Sequence, residues 1–318
     1  MEKIIYLHPG LPKTGTSFLQ RNLFVPHPEI NNLGKKNSHL PDKGDLLKVF
    51  YKVMHYEKLS EDDYSNFLKI INSIDYKENF VNLISFEGFM QLNFKNNQEL
   101  IFKRLKRLFT NSNFKLKVFI TIRNQLSIIP SHYTNTPSIY IRDGIEFSKS
   151  FKSFINNINK IEKTSEKNYI NAYDRYKYFQ TLQLLIKIFS KENVKIFLFE
   201  DMKKNVNAYF DQICSFMEIE SYTGVNSEIS VNVTRKKGKE LKKINKYFYS
   251  QNRILYYFSK LLPKTYKEII ANFFIDLKNF RDPIILDKDQ QDIIIDYYRE
   301  DNELLAKQLN KDLKSLGY

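Results

Sequence analysis

The sequence predicts an α/β fold in which a central parallel β-sheet is flanked by helices on both faces, in the three-layer arrangement of P-loop proteins. Short apolar runs typical of strands alternate with longer helical patterns, as they do in doubly wound folds. These runs are apolar throughout instead of alternating with polar residues, which is the pattern of strands buried on both faces. Both observations favour a parallel sheet.

The predicted strands are rich in β-branched and aromatic residues, and the predicted helices repeat apolar residues at helical spacing. The strands are expected over residues 3–8, 29–33, 80–85, 116–122 and 194–199. The helices are expected over residues 17–24, 97–109, 127–134, 146–161, 173–191 and 205–217, then over 239–249, 254–262, 266–277 and 287–313. We therefore expect an α/β core over residues 1–236 and a helical C-terminal extension over 237–318 that packs on it.

Composition limits the classes of protein that fit. The chain has 318 residues, enough for a substantial core, and its single cysteine, Cys214, excludes an intrachain disulfide. No run reaches the roughly 18–20 apolar residues that span a bilayer, and the sequence begins with a strand pattern instead of a signal peptide. We expect a cytoplasmic protein.

The net charge of +14 would suit an anionic cofactor, an acidic polysaccharide or peripheral contact with an anionic membrane. It would also suit nucleic acid, but the lysines are spread along the chain instead of forming one dense tract. We therefore expect no nucleic-acid partner. Residues 38–63 have mixed polarity and are a candidate lid over an acceptor.

A glycine-containing loop follows the first predicted strand, where residues 9–18 read PGLPKTGTSF. Strand, tight loop and helix start is the geometry in which backbone N–H groups surround a phosphate. Gly10 and Gly15 have the spacing of a nucleotide P-loop, but Thr16 stands where that motif needs lysine. The lysine of this loop, Lys13, comes three residues earlier. The loop therefore predicts a phosphate-ester site that differs from the usual ATP site.

Residues 13–18 of this loop closely resemble the 5′-phosphosulfate-binding loop of sulfotransferases that use 3′-phosphoadenosine-5′-phosphosulfate (PAPS). The resemblance implies that Lys13 neutralises charge on the oxygen bridging phosphate and sulfate, and that Gly15 lets the backbone approach closely. The cofactor-binding residues that it implies here are Lys13, Thr14, Gly15, Thr16, Ser17 and Phe18.

A second motif comes at the end of the predicted strand 116–122, where Arg123 is followed by Ser131 eight residues later and by Tyr133. This spacing resembles the 3′-phosphate site of the same family, and arginine offers a planar fork of donors suited to phosphate. Gln125 and Ile128 stand where the family often has proline and arginine, respectively. The resemblance implies that Arg123 and Ser131 bind the cofactor.

A third segment contains Arg235, Lys236, Lys237 and Gly238, and it resembles the arginine-lysine-glycine loop that closes over the 3′-phosphate in cytosolic sulfotransferases. Either Arg235-Lys236 or Lys236-Lys237 could take that part. A basic run can equally be a solvated face. On the first register, Arg235, Lys236 and Gly238 complete the predicted cofactor site.

Glu87 is the predicted general base, because it lies just beyond the strand 80–85 and faces the same crevice. Some sulfotransferases place a catalytic histidine at the end of the equivalent strand, and others use a glutamate. His8 and His132 are the alternatives, and Glu87 could instead cap a helix. We expect no metal, because lysine and backbone donors can stabilise the leaving group.

The resemblance implies a sulfotransferase that moves a sulfuryl group from PAPS to a hydroxyl of a carbohydrate or glycolipid and releases adenosine 3′,5′-bisphosphate. Two other classes stay open from the residues themselves. One is a P-loop-like nucleotide kinase. The other is a non-catalytic basic protein that binds nucleotide or RNA.

Overall fold

Five parallel strands form the central sheet in the part of the chain that the computed structural model describes, which is residues 2–33, 44–90, 98–135, 155, 173–222, 224 and 284–318. The strands are β1 (Lys3–His8), β2 (Ile30–Asn32), β3 (Val81–Ser85), β4 (Phe114–Ile122) and β5 (Val194–Leu198). Their order in the sheet is β2-β3-β1-β4-β5, and every neighbouring pair is parallel.

Helices alternate with these strands along the chain. They are α1 (Thr16–Leu19), α2 (Gly44–His55), α3 (Glu61–Asn72), α4 (Gln98–Asn111), α5 (Gln125–Asn135), α6 (Tyr178–Phe189), α7 (Phe199–Lys204), α8 (Val206–Met217) and α9 (Lys288–Leu309). α1 continues directly into a π-helical turn, Gln20–Phe24. Short 3-10 turns occupy Glu87–Met90, Asp174–Tyr176, Lys191–Asn193 and Lys314–Leu316.

The sheet lies between two helical layers. Phe114 of β4 meets Phe109 of α4 at a ring-centroid distance of 6.3 Å, on one face of the sheet. Phe119, an odd number of residues further along β4, meets Phe216 of α8 at 5.9 Å. Because successive side chains of a strand point to opposite faces, α4 and α8 cover opposite faces. The predicted three-layer α/β fold is confirmed.

The chain divides into two compact units. The first comprises residues 1–124, 166–229 and 298–318 and contains the whole described sheet. The second comprises residues 125–165 and 230–297 and contains α5. The predicted division after residue 236 stays a prediction, because residues 225–283 lie outside the described part of the chain.

The strand predictions agree with the structure to within two residues at each end, and β1 has the predicted bounds. The predicted helices 97–109 and 205–217 are found as α4 and α8, whereas 173–191 is shorter because the helix begins only at Tyr178. The predicted helices 239–249, 254–262 and 266–277 lie outside the described residues, as does nearly all of 146–161.

The sequence reading missed α2, α3 and α7. Most of the predicted lid, residues 38–63, is occupied by α2 and the start of α3. A sequence signal for α3 did exist, because Ser60 and Asp63 form a reciprocal capping box at its first turn. Among the helices in the described residues, none is long and apolar enough to cross a membrane.

A buried asparagine joins β3 to the two segments beside it. The Asn82 side-chain oxygen accepts hydrogen bonds from Asn31 Nδ2 at 2.8 Å and from Lys77 N at 2.9 Å. Its nitrogen donates to the carbonyls of Lys77 and Phe80 at 2.8 and 3.0 Å. Asn82 is fully buried, so these four bonds replace water completely.

We expect Asn82→Ala to lower the free energy of unfolding by about 2–4 kcal/mol, because it leaves buried donors and acceptors without partners. Urea denaturation measures this change. The control Asn207→Ala removes an exposed asparagine from α8 and should change stability by less than about 0.5 kcal/mol. Equal effects of the two substitutions would contradict the role given to Asn82.

Candidate active site

The carboxyl ends of three neighbouring strands gather the predicted site residues of the first unit. Glu87 follows β3, the loop 9–15 follows β1, and Arg123 follows β4. β1 lies between β3 and β4, so the connection from β3 to β4 passes to the other side of β1. In parallel sheets such a switch in strand order opens a crevice at the carboxyl edge, where ligands bind.

The loop after β1 is closed by its own threonines. Thr14 Oγ1 donates to the carbonyl of Leu11 at 2.7 Å, and Thr16 Oγ1 donates to the same oxygen at 3.4 Å. Both threonines are buried, whereas Ser17 is exposed. The protons of the two threonine hydroxyls therefore hold the shape of the loop, and Ser17 presents a hydroxyl to solvent at the first turn of α1.

The backbone of this loop turns through the left-handed region at three residues, with φ of +54° at Gly10, +69° at Lys13 and +86° at Gly15. A Cβ on Gly15 would lie 2.7 Å from Cε of Met202 and 3.2 Å from the ring of Phe199. Gly15 is therefore needed both for its backbone conformation and for the close approach of α7. Lys13 adopts a conformation that non-glycine residues seldom take, as strained loop residues at functional sites often do.

Arg123 connects β4 to this loop. Its Nη1 donates to the carbonyl oxygen of Lys13 at 3.1 Å, and its guanidinium lies over the ring of Phe199, 4.7 Å from the centroid. Burial lowers the pKa of Arg123, and the nearby carboxylate of Glu200 opposes that shift. The group remains a cation at neutral pH, so the structure holds a half-buried positive charge against the backbone of the loop.

Glu87 lies on the other side of the loop. Its Cγ is 3.2 Å from the position that a Cβ on Gly10 would take, and Thr16 lies 3.0 Å from the same point. Glu87 begins the 3-10 turn after β3, and the buried residues Phe89 and Met90 anchor that turn. The structure thus brings Glu87, the loop and Arg123 to one edge of the sheet.

His8, an alternative candidate for the base, lies beneath the loop. It is fully buried and stacks on Phe119, and its Nδ1 is hydrogen-bonded to Ser85 Oγ at 2.9 Å. Gln20 Nε2 donates to the same Ser85 oxygen at 3.0 Å. Burial lowers the pKa of His8 to about 3. A neutral, enclosed imidazole with so low a pKa is a poor proton acceptor at neutral pH, which favours Glu87 as the base.

The other predicted residues do not all fall in the described first unit. Phe18 is half-buried against Phe210 of α8, 6.1 Å between ring centroids. Ser131 and His132 lie in α5 of the second unit, where Ser131 is half-buried and His132 is buried. Three predicted cofactor-binding residues lie outside the described part of the chain: Arg235, Lys236 and Gly238.

Two residues next to the site were missed by the sequence reading. Phe199 and Glu200 begin α7 directly after β5, beside Arg123. Residues that follow a parallel strand lie at the carboxyl edge of the sheet. The same argument that selected Arg123 could therefore have selected Phe199 and Glu200, because they follow a predicted strand. Among the described residues, no cluster of three or more His, Cys, Asp or Glu side chains could hold a metal ion.

Comparison with known families identifies the family of the chain. The family model for the sulfotransferase domain matches residues 7–267, which is most of the chain and includes the loop, Glu87 and Arg123. The chain belongs to the sulfotransferase family. No curated protein matches this sulfotransferase-family chain.

Three solved sulfotransferases are similar to the chain, and the first of them resembles it in fold. A sulfotransferase from Alicyclobacillus acidocaldarius is 14% identical, with all of both chains covered and a TM-score of 0.51. Mouse sulfotransferase SULT7A1, solved with PAP, is 14% identical over 70% of this chain and 60% of its own, with a TM-score of 0.36. The sulfotransferase domain of the curacin biosynthetic pathway is 15% identical over 98% and 99% of the two chains, with a TM-score of 0.34.

The buried His8 makes stability depend on pH. Unfolding returns its pKa from about 3 to the usual 6.5, so between these values the unfolded chain binds the proton and the folded chain does not. Stability therefore falls as the pH is lowered through this window, by up to about 1.4 kcal/mol per pH unit from this residue. We expect His8→Phe to lose that part of the slope in urea denaturation at pH 7, 6 and 5.

The matched control is His55→Phe, which removes a half-exposed histidine from α2. This variant should keep the wild-type slope. A slope in His8→Phe equal to that of the wild type would show that His8 is not the group responsible.

Proposed function

We propose that the chain transfers a sulfuryl group from PAPS to a hydroxyl of a carbohydrate or glycolipid acceptor. The observation that carries this proposal is the hydrogen bond from Arg123 Nη1 to the carbonyl oxygen of Lys13, at 3.1 Å. It joins the two predicted phosphate-binding motifs, although 110 residues separate them in sequence. A nucleotide with phosphates on its 5′ and 3′ oxygens can then reach both from one position.

The residues at the crevice fit a doubly phosphorylated donor. Lys13 and Arg123 supply positive charge, the exposed Ser17 supplies a hydroxyl donor, and Gly10 and Gly15 allow the left-handed backbone that shapes the loop. Charge-assisted hydrogen bonds from lysine and arginine are the strong contacts by which proteins hold phosphates. The 5′-phosphosulfate would lie on the loop, and the 3′-phosphate would pair with Arg123.

The reaction proceeds in line at sulfur. The acceptor oxygen forms a bond to sulfur while the bond from sulfur to the 5′-phosphate oxygen breaks, and the hydroxyl proton passes to the Glu87 carboxylate. The leaving group is adenosine 3′,5′-bisphosphate. Its departing oxygen gains negative charge, which the Lys13 ammonium and the loop amides stabilise. Glu87 is suited to the base role because its side chain lies against the same loop.

A sugar acceptor is supported by the surface next to Glu87. α2 packs on the 3-10 turn that carries Glu87, with Phe50 and Phe89 at a centroid distance of 4.8 Å. On the outer side of α2, Tyr51 is 57% exposed and stacks on His55 at 4.2 Å. Exposed aromatic faces stack on sugar rings, so Tyr51 is a candidate contact for a saccharide on α2, the helix that packs on the turn carrying Glu87.

The role of the two cations is tested with purified variants. We expect Arg123→Ala to weaken binding of adenosine 3′,5′-bisphosphate about 10- to 100-fold in calorimetry, because it removes a charge-assisted contact worth roughly 1.5–3 kcal/mol. We expect Lys13→Ala to lower kcat about 100- to 1,000-fold, because charge on the leaving oxygen is no longer stabilised. Transfer of radiolabelled sulfate from PAPS to a panel of saccharides and glycolipids measures kcat.

Lys69→Ala is the matched control, since it removes an exposed lysine from α3 and leaves the carboxyl edge of the sheet intact. It should bind and turn over like the wild type. Wild-type turnover by Lys13→Ala would refute the role of the loop. A thermal shift with magnesium-ATP and none with the bisphosphate would favour the kinase alternative instead.

Glu87 is tested by its pH dependence. A carboxylate base loses activity on the acidic side as it takes up a proton, and Glu87→Gln cannot titrate. We expect Glu87→Gln to lower kcat about 100- to 10,000-fold and to lose the acidic limb of the pH–rate profile. Glu78→Gln is the control, because Glu78 is exposed and lies before the amino end of β3. It should retain both the wild-type kcat and the acidic limb of the pH–rate profile. An unchanged profile in Glu87→Gln would remove Glu87 as the base.

A further inference from the structure

The backbone that carries Arg123 is held by a hydrogen-bonded network behind the site. The carbonyl of Arg123 accepts a hydrogen bond from the Tyr178 hydroxyl at 2.7 Å. The next residue, Asn124, donates to Glu200 Oε1 twice, from its backbone nitrogen at 3.1 Å and from Nδ2 at 2.9 Å. The peptide unit that joins Arg123 to Asn124 is therefore fixed at both its carbonyl and its amide by side chains from elsewhere in the first unit.

The last residues of the chain complete this network. The Tyr318 hydroxyl donates to Glu200 Oε2 at 3.0 Å, so the two oxygens of one carboxylate hold Asn124 and Tyr318. Asn124 Nδ2 also donates to the carbonyl of Leu316 at 3.0 Å. Tyr318 is only 8% exposed, and its ring meets that of Tyr178 edge to face at 6.2 Å. The segment 316–318 thus packs directly against the end of β4.

The two residues that follow β5, Phe199 and Glu200, also orient the guanidinium of Arg123. Phe199 offers its ring to Arg123, and Glu200 adds a negative charge nearby. A guanidinium on an aromatic face keeps its edge free to donate, and here that edge reaches the Lys13 carbonyl. Phe199 therefore constrains the side chain of Arg123, while Glu200 constrains its backbone through Asn124.

We propose that Glu200 and Tyr318 are positioning residues that hold Arg123 in the geometry required for a 3′-phosphate. This inference rests on the proposed function, since it assumes that Arg123 binds that phosphate. Both residues act through Arg123. Their loss should therefore weaken recognition of the 3′-phosphate more than recognition of the rest of the nucleotide, because short charge-assisted contacts are sensitive to donor position.

The test compares two ligands that differ only in the 3′-phosphate, adenosine 3′,5′-bisphosphate and adenosine 5′-phosphate. Calorimetry gives the dissociation constant of each ligand. The constant for adenosine 5′-phosphate divided by that for the bisphosphate is the ratio that reports the contribution of the 3′-phosphate. We expect Tyr318→Phe, which keeps the ring and removes one hydrogen bond, to lower the wild-type ratio about 5- to 10-fold. Affinity for adenosine 5′-phosphate should stay within about 2-fold. With PAPS, KM should rise while kcat stays near the wild-type value.

Glu200→Gln is the second variant, because it keeps the shape of the side chain and removes the charge that faces Arg123 and Tyr318. We expect it to lower the ratio at least as much as Tyr318→Phe does. Tyr6→Phe is the matched control, since the Tyr6 hydroxyl donates to the carbonyl of Met217 at 3.3 Å. Tyr6 pairs in the sheet with Lys117, six residues before Arg123 and thus about 20 Å along β4. This control should keep the wild-type ratio.

The outcomes separate the inference from the function on which it rests. If Arg123→Ala lowers the ratio while Tyr318→Phe and Glu200→Gln leave it unchanged, the positioning role is wrong and the proposed function stands. Equal weakening of both ligands in Tyr318→Phe also overturns the inference, because it shows general structural support. A wild-type protein that does not prefer the bisphosphate overturns the proposed function itself.

Discussion

One hydrogen bond, from the guanidinium of Arg123 to the backbone carbonyl of Lys13, defines the candidate site. It forms because β1 and β4 are neighbours in a parallel sheet, so that both strands deliver the residues after them to the same edge. The bond uses a loop carbonyl that the left-handed backbone at Lys13 makes available. The electrostatic character of the crevice thus follows from strand order and from one unusual residue conformation.

Holding a cation in this position has a cost that the fold must offset. Burial disfavours the charged form of Arg123, and an unpaired buried charge would destabilise the protein. The ring of Phe199, the carboxylate of Glu200 and the Lys13 carbonyl each compensate part of that penalty. An anion paired with this guanidinium would add a further, charge-assisted compensation.

The sequence was sufficient to predict the sheet, the loop that follows β1 and the arginine that follows β4, because those features are local. β1 is a run of strand-forming residues followed by a loop of glycines and threonines, and β4 is an apolar strand that ends at Arg123. The site model from sequence was less complete. It did not include Phe199 or Glu200, and its assignment of Thr14 to the cofactor stays a prediction; the Thr14 hydroxyl donates to the carbonyl of Leu11 and so closes the loop.

The missing parts depend on contacts between distant residues. Glu200 meets Asn124 across 76 positions, and Leu316 meets it across 192, so neither contact leaves a periodic or local pattern in the sequence. α2 and α3 are a different case, because the apolar residues of α2 repeat at helical spacing as regularly as those of α4. The capping box before α3 was the readable signal there, and it marks a helix start whatever the composition of the helix.

The π-helical turn after the loop shows how much the chain adjusts at this point. The amide of Val25 bonds to the carbonyl of Gln20 at 3.1 Å, five positions back, whereas the amide of His27 bonds to Leu23, four positions back. A turn of this kind is an α-helix with one residue inserted, and such insertions are often found beside functional sites. Gln20, the first residue of this turn, donates from Nε2 to Ser85 Oγ at 3.0 Å, so the irregular turn begins at a residue that ties it to the end of β3 beneath the loop.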